Sequence, residues 1–221
     1  MTETKQQKYE QALDVFRQPP VYPWKHLMIA ICWTQLAKYT NALHFYDLAL
    51  QGLLRDRRGW HGTSEPNRLV DTFTLANQPE LYHQVREEVE AYKLDPRGNS
   101  LVALYSYALL RLIPGRDEEA GDYVRGLLEK DKVKYTLAMG KTIKAIIEHD
   151  QVAFDAALGD LLKAHRGMAK FGGLRETPEG FLCLPAMSLS KMALERGMGV
   201  NAESEYLSKG YLDYLLQDPD F

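Results

Sequence analysis

From Glu179 to Val200 the chain reads EGFLCLPAMSLSKMALERGMGV, and Phe181, Leu182, Leu184, Met187, Leu189, Met192 and Ala193 cover most of the circumference of a helix. A helix apolar on that many sides must be surrounded, so the remainder of the chain has to supply several packing partners for it. The preceding segment, DQVAFDAALGDLLKAHRGMAK, carries a single stripe instead. Phe154, Leu158, Leu161 and His165 recur at helical spacing and predict one buried face. The tail NAESEYLSKGYLDYLL sets Glu203 and Glu205 beside Tyr206 at the expected start of a last amphipathic helix, where acids offset the positive helix end.

Upstream, no stretch alternates apolar and polar residues between turn signals for more than a few positions, which predicts an all-α fold. At 221 residues the chain lies below the roughly 250 to 300 at which single cores stop growing, so residues 1–221 read as one domain. A first helix from about Glu3 to Arg17 is stopped by Pro19, Pro20 and Pro23. Helices over about Trp24 to Lys38 and Asn41 to Arg57 follow as an antiparallel hairpin, the second capped by Thr40 or Asn41. A polar loop from Gly59 to Pro66 precedes helices over Asn67 to Asn77 and, with Pro79 in its first turn, Pro79 to Leu94. A turn over DPRGN at 95–99 leads into Ser100 to Ile113, which has little polar face and should be central, and which Pro114 and Gly115 end. Asp117 to Lys130 and Lys134 to Glu148 read as exposed amphipathic helices. The sum is about ten helices packed as irregular antiparallel hairpins. The stretch CWTQLAKYTNALHFYDLALQ has the spacing of a tetratricopeptide helix pair, but no second copy follows at about 34 residues, and one unit cannot bury its own face.

Charge narrows the choice of partner: 27 basic residues against 30 acidic leave a net −3, with no basic footprint for nucleic acid or an anionic membrane. The start MTETKQQKYEQALDVF lacks the pattern of a secretory signal, and the longest apolar run, Leu27 to Trp33, is far short of the ~20 residues that span a bilayer. Cys32 and Cys183 lie far apart in apolar surroundings and read as buried thiols of a protein in a reducing cytoplasm.

The usual signatures of catalysis and of cofactor binding are missing. Glu80 and His83 form one Glu-x-x-His, where a carboxylate-bridged metal pair needs two copies and further Glu residues, so the pair reads as an exposed helix face. Neither cysteine has a second ligand at metal spacing, and no Gly-x-Ser-x-Gly elbow occurs. The glycines of KFGGLR at 170–175 are followed by no Gly-Lys-Ser/Thr and preceded by no strand, so a helix C-cap and turn is expected there. We therefore expect no enzyme, metal or cofactor. His165, alone on an apolar stripe, reads as a core histidine whose ring N–H reaches a backbone carbonyl or a carboxylate.

The order AFDAALGDLLKAHRGMA, loop, EGFLCLPAMSLSKMALERGMGV, ESEYL resembles the immunity protein 49 family of bacterial polymorphic toxin systems. The resemblance is most specific over about residues 150–209, while the N-terminal two thirds agree only in being helical and in segment order. It implies a mostly helical, cytoplasmic protein that binds a toxin encoded by a neighbouring gene and performs no chemistry of its own. It also implies that His165, Glu203, Glu205 and Tyr206 are structural, with His165 tying its helix to the following loop or to the Glu203–Tyr206 run. Asp117, Glu118, Glu119 and Asp122 crowd the start of one helix, where acids ordinarily complement the dipole. If the toxin is a basic nuclease, the same residues would mimic a phosphate backbone and contact it. The alternative reading is a tetratricopeptide-like adaptor that holds a peptide or partner protein between hairpins.

Overall fold

Thr4 begins the first helix with a reciprocal cap: its hydroxyl accepts from the Gln7 N–H, and the Gln7 side chain accepts from the Thr4 N–H. The computed structural model describes residues 4–19, 22–55, 65–91, 101–130 and 133–217. Among them are eleven α-helices and no strand: α1 (Lys5–Phe16), α2 (Pro23–Gln35), α3 (Tyr39–Arg55), α4 (Glu65–Ala76), α5 (Tyr82–Ala91), α6 (Leu101–Leu112), α7 (Asp117–Lys130), α8 (Lys134–Ile147), α9 (Gln151–Phe171), α10 (Leu184–Glu195) and α11 (Lys209–Leu216). Single 3₁₀ turns at Pro79–Leu81 and Pro178–Gly180 precede α5 and α10. The turn expected over 95–99 and most of the loop expected from Gly59 lie outside the described residues.

Helices adjacent in sequence pack pairwise, α2 on α3, α6 on α7 and α8 on α9, as the short connections require. The α2–α3 pair is the closest, and Gly52 shows why: a Cβ there would come 2.7 Å from the Pro23 ring, so only glycine lets the helices approach this far. Two helices then join the hairpins into one core. α4 touches α3, α5, α6 and α10, and α10 touches α4, α8, α9 and α11. Every residue from Leu184 to Ala193 of α10 is buried, as a helix apolar all round demands. Leu69 to Ala76 of α4 are equally buried, although this segment carries Asp71, Thr72 and Thr74. Thr74 resolves its own polarity by donating to the Val70 carbonyl one turn back.

The structure departs from the sequence reading in four places. α3 begins at Tyr39, so Thr40 and Asn41 lie inside its first turn and cap nothing. α10 is shorter than the apolar run, because Pro185 is tolerated only in a first helical turn and Phe181 and Leu182 precede it in irregular chain. α8 is no exposed helix, since Thr136, Ala138, Met139, Gly140, Thr142, Ile143, Ala145 and Ile146 are all buried. α11 starts at Lys209 with no acid in its first turn. Glu203 and Glu205 therefore do not serve a helix end. The chain through them is held instead by the Cys183 N–H donating to the Tyr206 carbonyl at 2.9 Å, by Glu205 pairing with Lys5 of α1, and by Glu203 pairing with Lys209.

Candidate functional site

One cavity has two buried polar side chains, Asp71 and His165, in its lining. Residues 67, 68 and 71 share a face of α4 by helical spacing, and that face presents Asn67, Arg68 and Asp71 to a cavity of about 220 Å³. α8 contributes Tyr135, α9 contributes His165 and Met168, the segment after α9 closes it with Leu174, Glu179 and Leu182, and the first turn of α10 adds Leu184 and Pro185. Gly180 shapes this closing segment, because a Cβ at that position would sit 2.2 Å from the Leu174 carbonyl oxygen. The α9 terminus that leads into it is a cap and turn, as expected, with the Gly172 N–H donating to the Met168 carbonyl at 3.0 Å.

Asp71 is 2% exposed and accepts from the Tyr105 hydroxyl at 2.7 Å, while the buried Ser188 hydroxyl of α10 faces it outside good hydrogen-bond geometry. Burial pushes its carboxyl up to about 7, and the Tyr105 hydrogen bond works against that rise. Tyr135, partly buried, lies 3.6 Å from the sulfur of the fully buried Cys183. Burial pushes the Cys183 and Cys32 thiols up to about 12, so each keeps its proton at neutral pH and neither is a nucleophile. At the mouth the Arg68 guanidinium grips Glu179 with two bonds, 2.7 Å to Oε1 and 3.0 Å to Oε2, which fastens the Pro178–Gly180 turn to α4.

His165 is buried on the apolar stripe as the spacing predicted, at 2% exposure, but it is not tied by the expected hydrogen bond. Neither ring nitrogen has a partner in good hydrogen-bonding geometry, although the Gly180 backbone faces the ring and acts against the fall of its pKa. The tie to the later run is aromatic. The ring meets Tyr206 edge-on at 5.1 Å and lies 6.3 Å from Tyr135. Burial lowers the imidazole to about 4, so it is neutral at physiological pH, with one nitrogen able to donate and the other to accept.

The acidic cluster lies elsewhere, and much of it is engaged internally. Asp117 receives two bonds from Arg196, at 2.7 and 3.0 Å, and the same guanidinium donates to the Leu112 carbonyl at 2.8 Å. Arg196 thus locks the end of α10 to the junction of α6 and α7. Gly197 follows at φ +76°, the left-handed turn that ends a helix and lets the Met198 N–H return to the Ala193 carbonyl. Glu119 pairs with Arg111 at 2.9 Å, and Asp122 pairs with Arg125 at 3.2 Å on the surface. Glu118 and Asp122 are exposed. The Arg196 side chain is 21% exposed and joins three helix ends, so Arg196→Ala should cost about 1 to 2 kcal/mol in chemical denaturation. Unchanged stability would contradict the locking role.

Sequence reasoning missed Asp71, Arg68 and Arg196, whose partners lie 34, 111 and 79 positions away. Glu80 and His83 are exposed and line a separate surface groove of about 550 Å³ beside Asn77, Tyr82 and Glu195. Among the described residues no three His, Cys, Asp or Glu side chains gather as metal ligands, and no helix is long and apolar enough to cross a membrane. The fold and cavity define an all-helical protein with a closely packed double centre, α4 and α10, and one partly polar cavity beside it. A scan against protein-family models and searches of curated proteins and of solved structures returned no match.

Proposed function

We propose that this chain is an immunity protein that binds the toxin domain encoded beside it and blocks that domain by steric occlusion. The observation that carries the reading is the resemblance over 150–209: of its motif residues His165 and Tyr206 are buried, as are Leu184 and Met187 in the stretch between them, while Glu203 and Glu205 are exposed and pair with Lys209 and Lys5. A signature of that kind belongs to the scaffold, and it leaves the outer surface to be matched to each toxin. The surface offers rigid apolar anchors of the sort that dominate binding energy, with Phe171 89% exposed at the end of α9 and Trp24 and Tyr22 exposed at the start of α2. The protein works in the cytoplasm, uses no metal or cofactor, and contacts no nucleic acid itself.

Binding should be nanomolar or tighter, near −12 kcal/mol, because a few toxin molecules left unbound suffice to kill. Titration calorimetry of the purified pair tests this, and micromolar affinity would count against the reading. If the partner is a basic nuclease, the acids that steer it are the exposed Glu118 and Asp122, whose pairing with Arg125 lies on the surface, more than Asp117 and Glu119, which pair with the more buried Arg196 and Arg111. Glu118→Lys with Asp122→Lys should then slow association and flatten its salt dependence without lowering stability. Unaltered association kinetics would move the contact to another face.

The second reading, a helical adaptor, draws on the 550 Å³ groove between the end of α4, the Pro79–Leu81 turn and the end of α10. A peptide would lie there on Phe73, Tyr82 and Met192.

A further inference from the structure

The cavity between α4, α8, α9 and the 174–185 segment is furnished for an occupant. Its volume of about 220 Å³ equals that of about seven waters at ~30 Å³ each, enough for an alkyl chain with one polar head. Its walls are Met168, Leu174, Leu182 and Leu184. Asp71 on α4 and His165 on α9 are the buried polar side chains of its lining. Both His165 nitrogens lack a partner at 2% exposure, and buried polar groups in folded proteins are otherwise almost always satisfied.

The sign of the occupant follows from the lining charges. Arg68 and Glu179 hold each other at the mouth through two hydrogen bonds, which leaves Asp71 as the acid facing inward. An anion would be set against Asp71 and Glu179. A cation meets the Asp71 carboxylate and the lone pair of a neutral imidazole, both favourable to positive charge. We propose that this cavity is a binding site for a small organic cation, a primary amine on a short alkyl chain, with its ammonium against Asp71 and His165 and its carbons along Met168, Leu174 and Leu182. The proposal stands apart from the immunity reading, since it concerns a small-molecule pocket between α4, α8 and α9 and not a toxin-binding face.

The test uses the intact protein labelled with ¹⁵N in its histidine side chains, titrated at about pH 8, above the value of about 7 to which burial raises Asp71, with n-butylamine, n-butanol and n-butyrate. The expected result is a saturable shift of the His165 imidazole resonances by butylamine in the millimolar range, with butanol at least about tenfold weaker and butyrate silent, tenfold being the loss of one charge-assisted hydrogen bond. Asp71→Asn, which keeps the shape of the side chain, should weaken butylamine about tenfold and bring it level with butanol. His165→Phe should also weaken it, as read from the Tyr135 ring resonances. Equal binding of amine and alcohol by the wild type would overturn the charge assignment. Absence of any saturable shift, or a crystal soaked in butylamine that shows only ordered water beside His165, would overturn the site.

Discussion

Met187→Asp should yield no folded protein. Met187 is fully buried at the centre of α10, the helix that meets α4, α8, α9 and α11, and its sulfur takes the Ser208 N–H at 3.2 Å. An aspartate there places a charge where water cannot follow, and the ammonium one turn on, Lys191, is already paired with Glu195. Ionised or protonated, it costs several kcal/mol, comparable to the whole stability of a domain of this size. Far-UV circular dichroism and size-exclusion chromatography of the variant read the outcome. A soluble, helical variant with an unchanged melting temperature would show that α10 is not the surrounded element. Val152→Asp is the matched control: it lies on α9 but is 81% exposed, and it should change stability by no more than about 0.5 kcal/mol.

The second large effect is a pair of opposed pH dependences. Asp71 has a folded value raised to about 7 from 3.8, so its contribution to stability is fully present below 3.8 and is lost as pH rises through about 7. His165 has a folded value lowered to about 4 from 6.5, so its contribution is fully present above 6.5 and is lost as pH falls through about 4. Between those limits the two slopes, each at most about 1.4 kcal/mol per pH unit, largely cancel in the wild type. Single variants should unmask them. Relative to wild type, Asp71→Asn should gain stability as pH rises from about 4 to 7, and His165→Phe should lose it over about 4 to 6.5, by amounts on the order of 3 kcal/mol. Urea denaturation across that range measures both differences, and the background of other carboxylates drops out of the comparison. Two parallel curves would mean that neither group is titrated by its burial.

Local signals carried much of this fold. α7 was legible to the residue, because Pro114 and Gly115 end one helix and the acids Asp117, Glu118 and Glu119 suit the start of the next. The stripe of α9 was equally plain, since helical spacing alone puts Phe154, Leu158, Leu161 and His165 together. What the sequence hid were elements decided by distant chain. Residues 203–207 look like a helix start, yet the Cys183 N–H draws the Tyr206 carbonyl out of any helical ladder. α4 looks like an ordinary short amphipathic helix, because the partner that makes a buried Asp71 tolerable is Tyr105 on α6. The candidate cavity was half legible for the same reason. His165 and Tyr206 stood out in the sequence, whereas Asp71, Arg68 and Glu179 are ordinary charged residues until folding brings α4 under the Pro178–Gly180 turn. The acidic cluster also changed meaning once Arg196 was seen to hold Asp117.

The most direct test of the functional account is growth. The toxin domain encoded next to this chain, placed under an inducible promoter in a sensitive bacterium, should arrest growth when expressed alone and should be harmless when this chain is co-expressed. The Met187→Asp variant, which lacks a folded surface, should give no protection. Restored growth that depends on the folded chain is the result the immunity reading predicts; continued arrest, with both proteins soluble and expressed at comparable levels, would contradict it.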